Sequence, residues 1–401
     1  MTAFPIKQAV RAANVDRSES PLRLDVVGRG DLIKFPHWQT AFANERKDHR
    51  YYELIEDTLH PEFDYRYFIL RDARGEARAV EPFFVLDQDL LVGTGPRFGA
   101  LIHGIRRLWP RFMRVRTLMV GCVAGEGHLD GGETPGRPLA RQLASLITGH
   151  ARALGAPLIV LKEFPSRYRS TLDCFLDNGF SRIPSMPMTR LRIDYASFDE
   201  YMNRALTSAT RKKLRKNFRA AEQAVALEMS IVDDVTPIIS QVYPLYLQVY
   251  QRSKLHFEKL TEQYFCELGQ RMGDKVRFFL WRQNGTIVAF ATCMTQNDSL
   301  YGEYIGLDYD VALDLHLYHY VFRDVVSWAI ANGYKWFHSS GLNYDPKLHL
   351  RHLLYPIDLY VRHTSGTMNI FMKWLLPLLE PTRYDKTLAK FSNYHELWAA
   401  R

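Results

Sequence analysis

The richest supply of reactive side chains lies in the last third of the chain. Glu303 sits inside SLYGEYIG (299–306), where period-two alternation puts Tyr301, Glu303 and Ile305 on one face of a strand and Gly302, Tyr304 and Gly306 on the other. A carboxylate flanked by apolar residues has a raised pKa and can take a proton from an ammonium group, so Glu303 is a candidate general base. The plainer alternative is an ion pair with an Arg or Lys across the sheet. Further on, SSGLNYDPK (339–347) places Ser339, Ser340, Asn343, Tyr344 and Lys347 at the end of a short strand, the densest mixture of donors and acids in the sequence. KLHFEKL (254–260) carries His256 and Glu258, which diverge at i, i+2 on a helix, so at most one of them points into a given cleft. His316 and His319 could meet on one helix face, but no third ligand is fixed at a fitting distance and no metal centre is expected. His338 alternates with apolar neighbours and reads as a core imidazole, and the absence of a Gly-x-Ser-x-Gly elbow argues against a serine triad.

Two similar stretches must position these groups. From Tyr67, an apolar run, a turn at Gly75 and a second apolar run read as an antiparallel hairpin; from Arg277 the pattern repeats around Asn284-Gly285. Each is followed by a third strand, then by an amphipathic helix ending at a glycine, Gly155 or Gly333, and by a short apolar strand. The recurrence implies a tandem duplication and an α+β fold with two mixed sheets. Between the copies, SATRKKLRKNFRAAEQAV is helical and basic, with Arg211, Lys212, Lys213, Arg215, Lys216 and Arg219 on several sides, a pattern that suits RNA or phosphate as well as a solvated connector. The glycine-rich insert from Asp87 to Gly136 reads as a long loop, near a ligand site or simply an excursion.

Composition narrows the class. At about 150 residues per domain, 401 residues make two or three, and 47 % hydrophobic content excludes a disordered or collagen-like chain. Fifty-two Lys+Arg against 44 Asp+Glu gives +8, suited to anionic ligands without naming one. Four dispersed cysteines form neither a zinc ribbon nor a disulfide framework. The N-terminal stretch lacks the apolar core of a secretory signal and no segment reaches the roughly 20 apolar residues of a spanning helix, so a cytoplasmic protein is expected. The tail from Met368 is expected to pack over a sheet or a second copy rather than on a membrane surface; the oligomeric state is open.

The order of elements resembles the GNAT superfamily of acyl-CoA-dependent N-acyltransferases, and LIVLKEFPSRYRSTLDCFLDNGF, with Phe175 before Gly179-Phe180, looks like its closing strand and helix. KLHFEKLTEQYF, SLYGEYIG and SSGLNYDPK ahead of LYPIDLYVRH resemble the tandem-GNAT proteins called FemAB-like or peptidoglycan-biosynthesis-type, whose inter-domain basic helix is similar to RKKLRKNFRAAE. The resemblance implies an N-terminal extension (1–20), a first GNAT-like domain (21–195), a basic linker helix (196–235), a second GNAT-like domain (236–365) and a helical tail (366–401). It further implies an N-acyltransferase that moves an acyl group, most simply acetyl from acetyl-CoA, to an amine of a small molecule or cell-envelope precursor. Glu303, Tyr344 and His256 would be catalytic, with Tyr344 protonating the departing thiolate. Tyr304, Ile305, Gly306 and Asn343 would hold acyl-CoA, and Glu258, Ser339, Ser340 and Lys347 the acceptor. The first copy would be degenerate or would help to form the cleft. The alternative donor is aminoacyl-tRNA, with Arg211, Lys212, Arg215 and Lys216 as its contacts. It gains weight because the residues before the second copy's helix hold Asp310 and Asp314 instead of the Arg/Gln-x-x-Gly-x-Gly/Ala turn that cradles the cofactor pyrophosphate. A third reading is a binding module without catalysis.

Overall fold

The computed structural model of the protein describes residues 22–59, 61, 63–89, 107, 114–253 and 258–399. The first half contributes β1 (Arg23–Val27), β2 (Asp64–Arg71), β3 (Ala77–Asp89), β4 (Arg114–Val120), β5 (Leu158–Pro165), β6 (Ser181–Pro184) and β7 (Met188–Arg192). Its helices are α1 (Arg29–Leu32), α2 (His49–Thr58), α3 (Arg137–Ala153) and α4 (Arg169–Asp177). The helices α5 (Phe198–Ala205) and α6 (Ser208–Ala224) lead into β8 (Leu227–Val232), α7 (Ile239–Arg252) and α8 (Glu262–Met272). After β9 (Val276–Gln283), β10 (Thr286–Gln296) and β11 (Ser299–Leu307) come α9 (Leu317–Ala331), β12 (Trp336–Ser339), α10 (Tyr344–His349), β13 (Leu353–Tyr355), β14 (Ile357–His363) and α11 (Gly366–Leu379).

Both expected hairpins form, β2–β3 and β9–β10, turning at Gly75 and at Asn284-Gly285 with positive φ. Gly155 and Gly333 close α3 and α9 in the left-handed region that lacks a Cβ penalty. The sheets have the same plan. One runs β1-β2-β3-β4-β5-β14-β6 and the other β8-β9-β10-β11-β12-β7-β13. All neighbours are antiparallel except β4/β5 and β11/β12. The fold is thus α+β, two GNAT-like sheets in tandem, each flanked by helices.

The sixth position of each sheet is filled from the other half. β7 lies between β12 and β13, and β14 between β5 and β6. Three residues separate β6 from β7, and Pro356 alone separates β13 from β14, so each pair of short strands is split between the sheets. LYPIDLYVRH, one strand by sequence pattern, is therefore two. The expected boundaries 21–195 and 236–365 cut the chain in order, whereas the sheets exchange a strand across that cut. Residues 196–235 also belong to a core: Phe198, Tyr201, Leu214, Phe218 and Ala221 pack with α9 and β12.

In the tail, Met372 and Leu376 of α11 pack inward, while Ile370, Phe371 and Trp374 are 64, 59 and 79 % exposed. Leu388, Phe391 and Leu397 form a small core with Tyr344 and Leu354. No described helix is long and apolar enough to cross a membrane.

Candidate functional site between the two halves

Parallel pairing of β11 with β12 runs from Ser299↔Trp336 to Gly302↔Ser339 and stops, although β11 continues to Leu307. Tyr304 to Leu307 keep β10 on one side and have no described strand on the other. The divergence coincides with a bulge: Cys293 faces Gly302 and Thr292 faces Tyr304, leaving Glu303 as the extra residue. A bulge breaks the two-face alternation and re-aims its side chain. The first half treats its corresponding opening differently. Where β4 leaves β5 after Val120, the loop from Gly121 to His128 folds into the gap, with the Gly127 N–H on the Glu163 carbonyl and the Lys162 ammonium on the Gly125 carbonyl. A Cβ at Gly127 would lie 2.7 Å from the Lys162 carbonyl oxygen, so only glycine admits this closure.

Glu303 meets charge from the first half. Arg46 Nε donates to Glu303 Oε1 at 2.7 Å and its Nη2 reaches Glu126, while Lys47 Nζ lies 3.0 Å from Glu303 and 3.5 Å from Glu126. Arg46 and Lys47 are each 1 % exposed. Arg46 also stands 3.8 Å over the Tyr301 ring. The network continues through His128, between Glu126 and Glu45, to Arg167, which lies 3.1 Å from Glu45. Burial alone would raise the Glu303 carboxyl, but Arg46 and Lys47 hold it below its ordinary range, and Glu126 is held well below by the same two cations. The raised pKa expected for Glu303 is thereby corrected: it is an ion-paired carboxylate binding the halves together.

Burial raises Glu258, as it raises Glu56 and Glu81 in the first half; at Glu258 the charge of Lys162 only partly offsets burial, and Glu163 adds repulsion. The Tyr304 hydroxyl lies 3.4 Å from Glu258 Oε1. Tyr304 itself packs edge-on against Tyr246, Tyr264 and Phe265, and burial keeps its phenol protonated. Tyr264 in turn bonds the Tyr51 hydroxyl at 3.0 Å, joining α8 to α2. Glu258 and Tyr304 thus meet beside the open part of β11, close enough to Lys162 of β5 for its charge to act on Glu258.

Other sequence candidates lie elsewhere. Tyr344, expected to protonate a leaving group, is 4 % exposed in the tail core and donates to the Pro187 carbonyl, a packing role. Lys347, expected to hold an anion, is buried and donates to the carbonyls of Ser340 and Leu342 at 2.5 and 3.0 Å; burial lowers it to about 7. Ser339 continues the pairing of β12, and Ser340 and Asn343 are exposed. Ile305 packs into the second core, and Gly306 lets α7 approach: a Cβ there would sit 2.8 Å from the Leu245 backbone and closer still to Phe290. On α6, Arg211 is spent on the carbonyls ending α5 and Arg215 on Asp199, while Lys212 and Lys216 remain exposed. His256 lies outside the described residues. No cluster of three metal-ligating side chains exists among the described residues. Sequence reasoning missed Glu45, Arg46 and Lys47, which stand in the charged run ANERKDHR yet are buried, and Glu126, His128 and Arg167, which lie in segments without a charge pattern of their own.

Among curated proteins none matches the sequence. The profile of the FemAB-like family, described as "Peptidogalycan biosysnthesis/recognition", matches residues 175–348. Solved structures similar to this chain include the C-terminal domain of a putative lysylphosphatidylglycerol synthetase from Agrobacterium fabrum, 14 % identical over 79 % of this chain and 88 % of that one, with a TM-score of 0.48. FemX is 11 % identical over 77 % of this chain and 90 % of its own, with a TM-score of 0.48. A tandem GNAT protein from the clavulanic acid biosynthesis pathway is 11 % identical over 86 % of this chain and 99 % of its own, with a TM-score of 0.46. Residues 175–348, which match the FemAB-like family, lie within a chain whose two seven-stranded sheets share one plan.

Proposed function

We propose that the protein is a transferase that moves an acyl or aminoacyl group from an activated ester to the amine of a cell-envelope precursor, with chemistry in the opening of β11. The observation that carries this reading is the pairing of Glu258, raised by burial, with the protonated Tyr304 hydroxyl 3.4 Å away beside a strand edge with no described strand partner. The amine attacks the acyl carbon, and a C–N bond forms while negative charge gathers on the carbonyl oxygen. Backbone N–H groups on the open edge of β11 supply donors for that charge. Glu258 takes the proton from the amine. Tyr304 gives its proton to the leaving oxygen or sulfur as that bond breaks, and is reprotonated by Glu258, so the pair is restored. Glu303, Arg46 and Lys47 fix the far end of the opening.

An ester carried on tRNA fits this chain better than acyl-CoA. The pyrophosphate of acyl-CoA would rest at the start of α9, where exposed Asp310 and Asp314 precede the helix and repel it. Four cations of α6, Lys212, Lys213, Lys216 and Arg219, remain exposed for a polyanion. Calorimetric titration with acetyl-CoA and with aminoacyl-tRNA tests the donor. Saturable binding of acetyl-CoA with none of tRNA would return the donor to CoA, and binding of neither would remove the transferase reading.

A further inference from the structure

On the second sheet, Tyr301, His338 and Arg190 are lateral neighbours across β11, β12 and β7. Paired residues on adjacent strands project to the same face, so these three form a row. The first member is occupied: Tyr301 is covered by Arg46 and stacks on His338 with ring centroids 4.3 Å apart. The last is not. The Arg190 side chain makes no hydrogen bond or ion pair among the described residues, and its Nε is closed to solvent without an acceptor. Its guanidinium lies over two rings, 5.0 Å from Trp336 and 5.3 Å from Tyr355. The Nδ1 of His338 beside it is also buried and unpartnered.

Of the donors of this half-buried guanidinium only Nε is closed off without an acceptor, at a cost above what the average hydrogen bond contributes, while the Nη groups stay open to an external oxyanion. The surrounding charges do not supply that acceptor. Arg167 is engaged by Glu45, and Glu126 by Arg46 and Lys47. His338 stays neutral, held down to about 3 chiefly by burial and then by Arg46. The two rings hold the planar fork of Arg190 in one orientation, the arrangement that favours two-point recognition of an oxyanion.

We propose that Arg190, with His338 at its side and Trp336 and Tyr355 as its aromatic floor, forms a ligand site for a carboxylate or phosphate group, separate from the Glu258–Tyr304 pair. The site does not depend on which group the protein transfers. An acidic ligand docks its oxyanion on the guanidinium and lays any apolar or planar portion on the exposed part of the Trp336 ring.

Inorganic pyrophosphate and N-acetylglycine, titrated separately into the full chain by calorimetry at low salt, represent the phosphate and carboxylate sources. One of the two should bind saturably at millimolar concentration and change the fluorescence of the wild type but not of Trp336→Phe. Arg190→Lys keeps the charge and loses the fork, and should weaken binding about tenfold or more. Arg190→Met should abolish it; where that variant does not melt cooperatively, Arg190→Lys alone decides. Failure of both probes to bind the wild type, or unchanged affinity in Arg190→Lys, overturns the proposal. Preference between the probes identifies the source of the oxyanion.

Discussion

Two carboxylates that look interchangeable in sequence are given opposite roles by their neighbours. Glu258 is raised by burial, so a reaction that uses its ionised form accelerates with rising pH through a value above the ordinary Glu range. Glu258→Gln should lower turnover by about 10²- to 10⁴-fold and leave the melting temperature nearly unchanged. Glu303→Gln should do the reverse in kind, removing one of the two carboxylates facing Arg46 and Lys47 and costing about 3–5 kcal/mol in denaturant unfolding. Full stability in Glu303→Gln would contradict the buried pairing. Lys347 carries its own pH signature. Its folded pKa is depressed to about 7, so between that value and the unfolded value near 10 the unfolded chain binds the extra proton, and Lys347 opposes folding less as pH rises. The wild type should therefore gain on Lys347→Met in melting temperature from pH 7 to 10; parallel curves would show that Lys347 is not desolvated. None of these environments is legible locally: SLYGEYIG predicts a strand correctly, but whether its glutamate meets lysine or lipid-like side chains depends on residues more than 250 positions away.

Among elements, β11 joins two requirements that sequence pattern cannot separate. Its glycines look like strand weakeners, yet Gly306 is where α7 crosses close enough to touch backbone. Gly306→Ala should overpack this contact and cost about 1–3 kcal/mol, measured by urea unfolding; a neutral substitution would mean that α7 does not press on the backbone of β11. The amphipathic helices α3 and α9, the hairpins and their glycines were readable because period and turn chemistry are local properties. The bulge at Glu303 was not, since it exists only relative to the register of β10. On α6, exposed and committed cations alternate in one charge run. If tRNA docks there, exchanging Lys212, Lys213, Lys216 and Arg219 for Gln should flatten the salt dependence of binding, with a slope reduction of about 0.7–0.9 per cation removed; an unchanged slope would place the RNA elsewhere.

For the molecule as a whole, the exchanged strands make each half incomplete without the other. A chain stopped before Ile357 lacks the strand between β5 and β6, and one starting after Arg192 lacks the strand between β12 and β13. Scanning calorimetry of the full chain should therefore give one unfolding transition, and the separate segments 21–195 and 196–365 should not melt cooperatively alone; two independent transitions would show that the exchange is not needed for stability. The sequence by itself determined the class of elements, their duplication, the two turning hairpins and the likeness to a tandem acyltransferase, because hydrophobic period, glycine placement and short motifs are written residue by residue. Only the tertiary structure decided which strand completes which sheet, which opening is filled by its own loop, and which glutamate is ion-paired and which is raised. Those outcomes rest on contacts between distant segments: burial sets the cost of every charge, and what is buried is known only once the two halves are placed against each other.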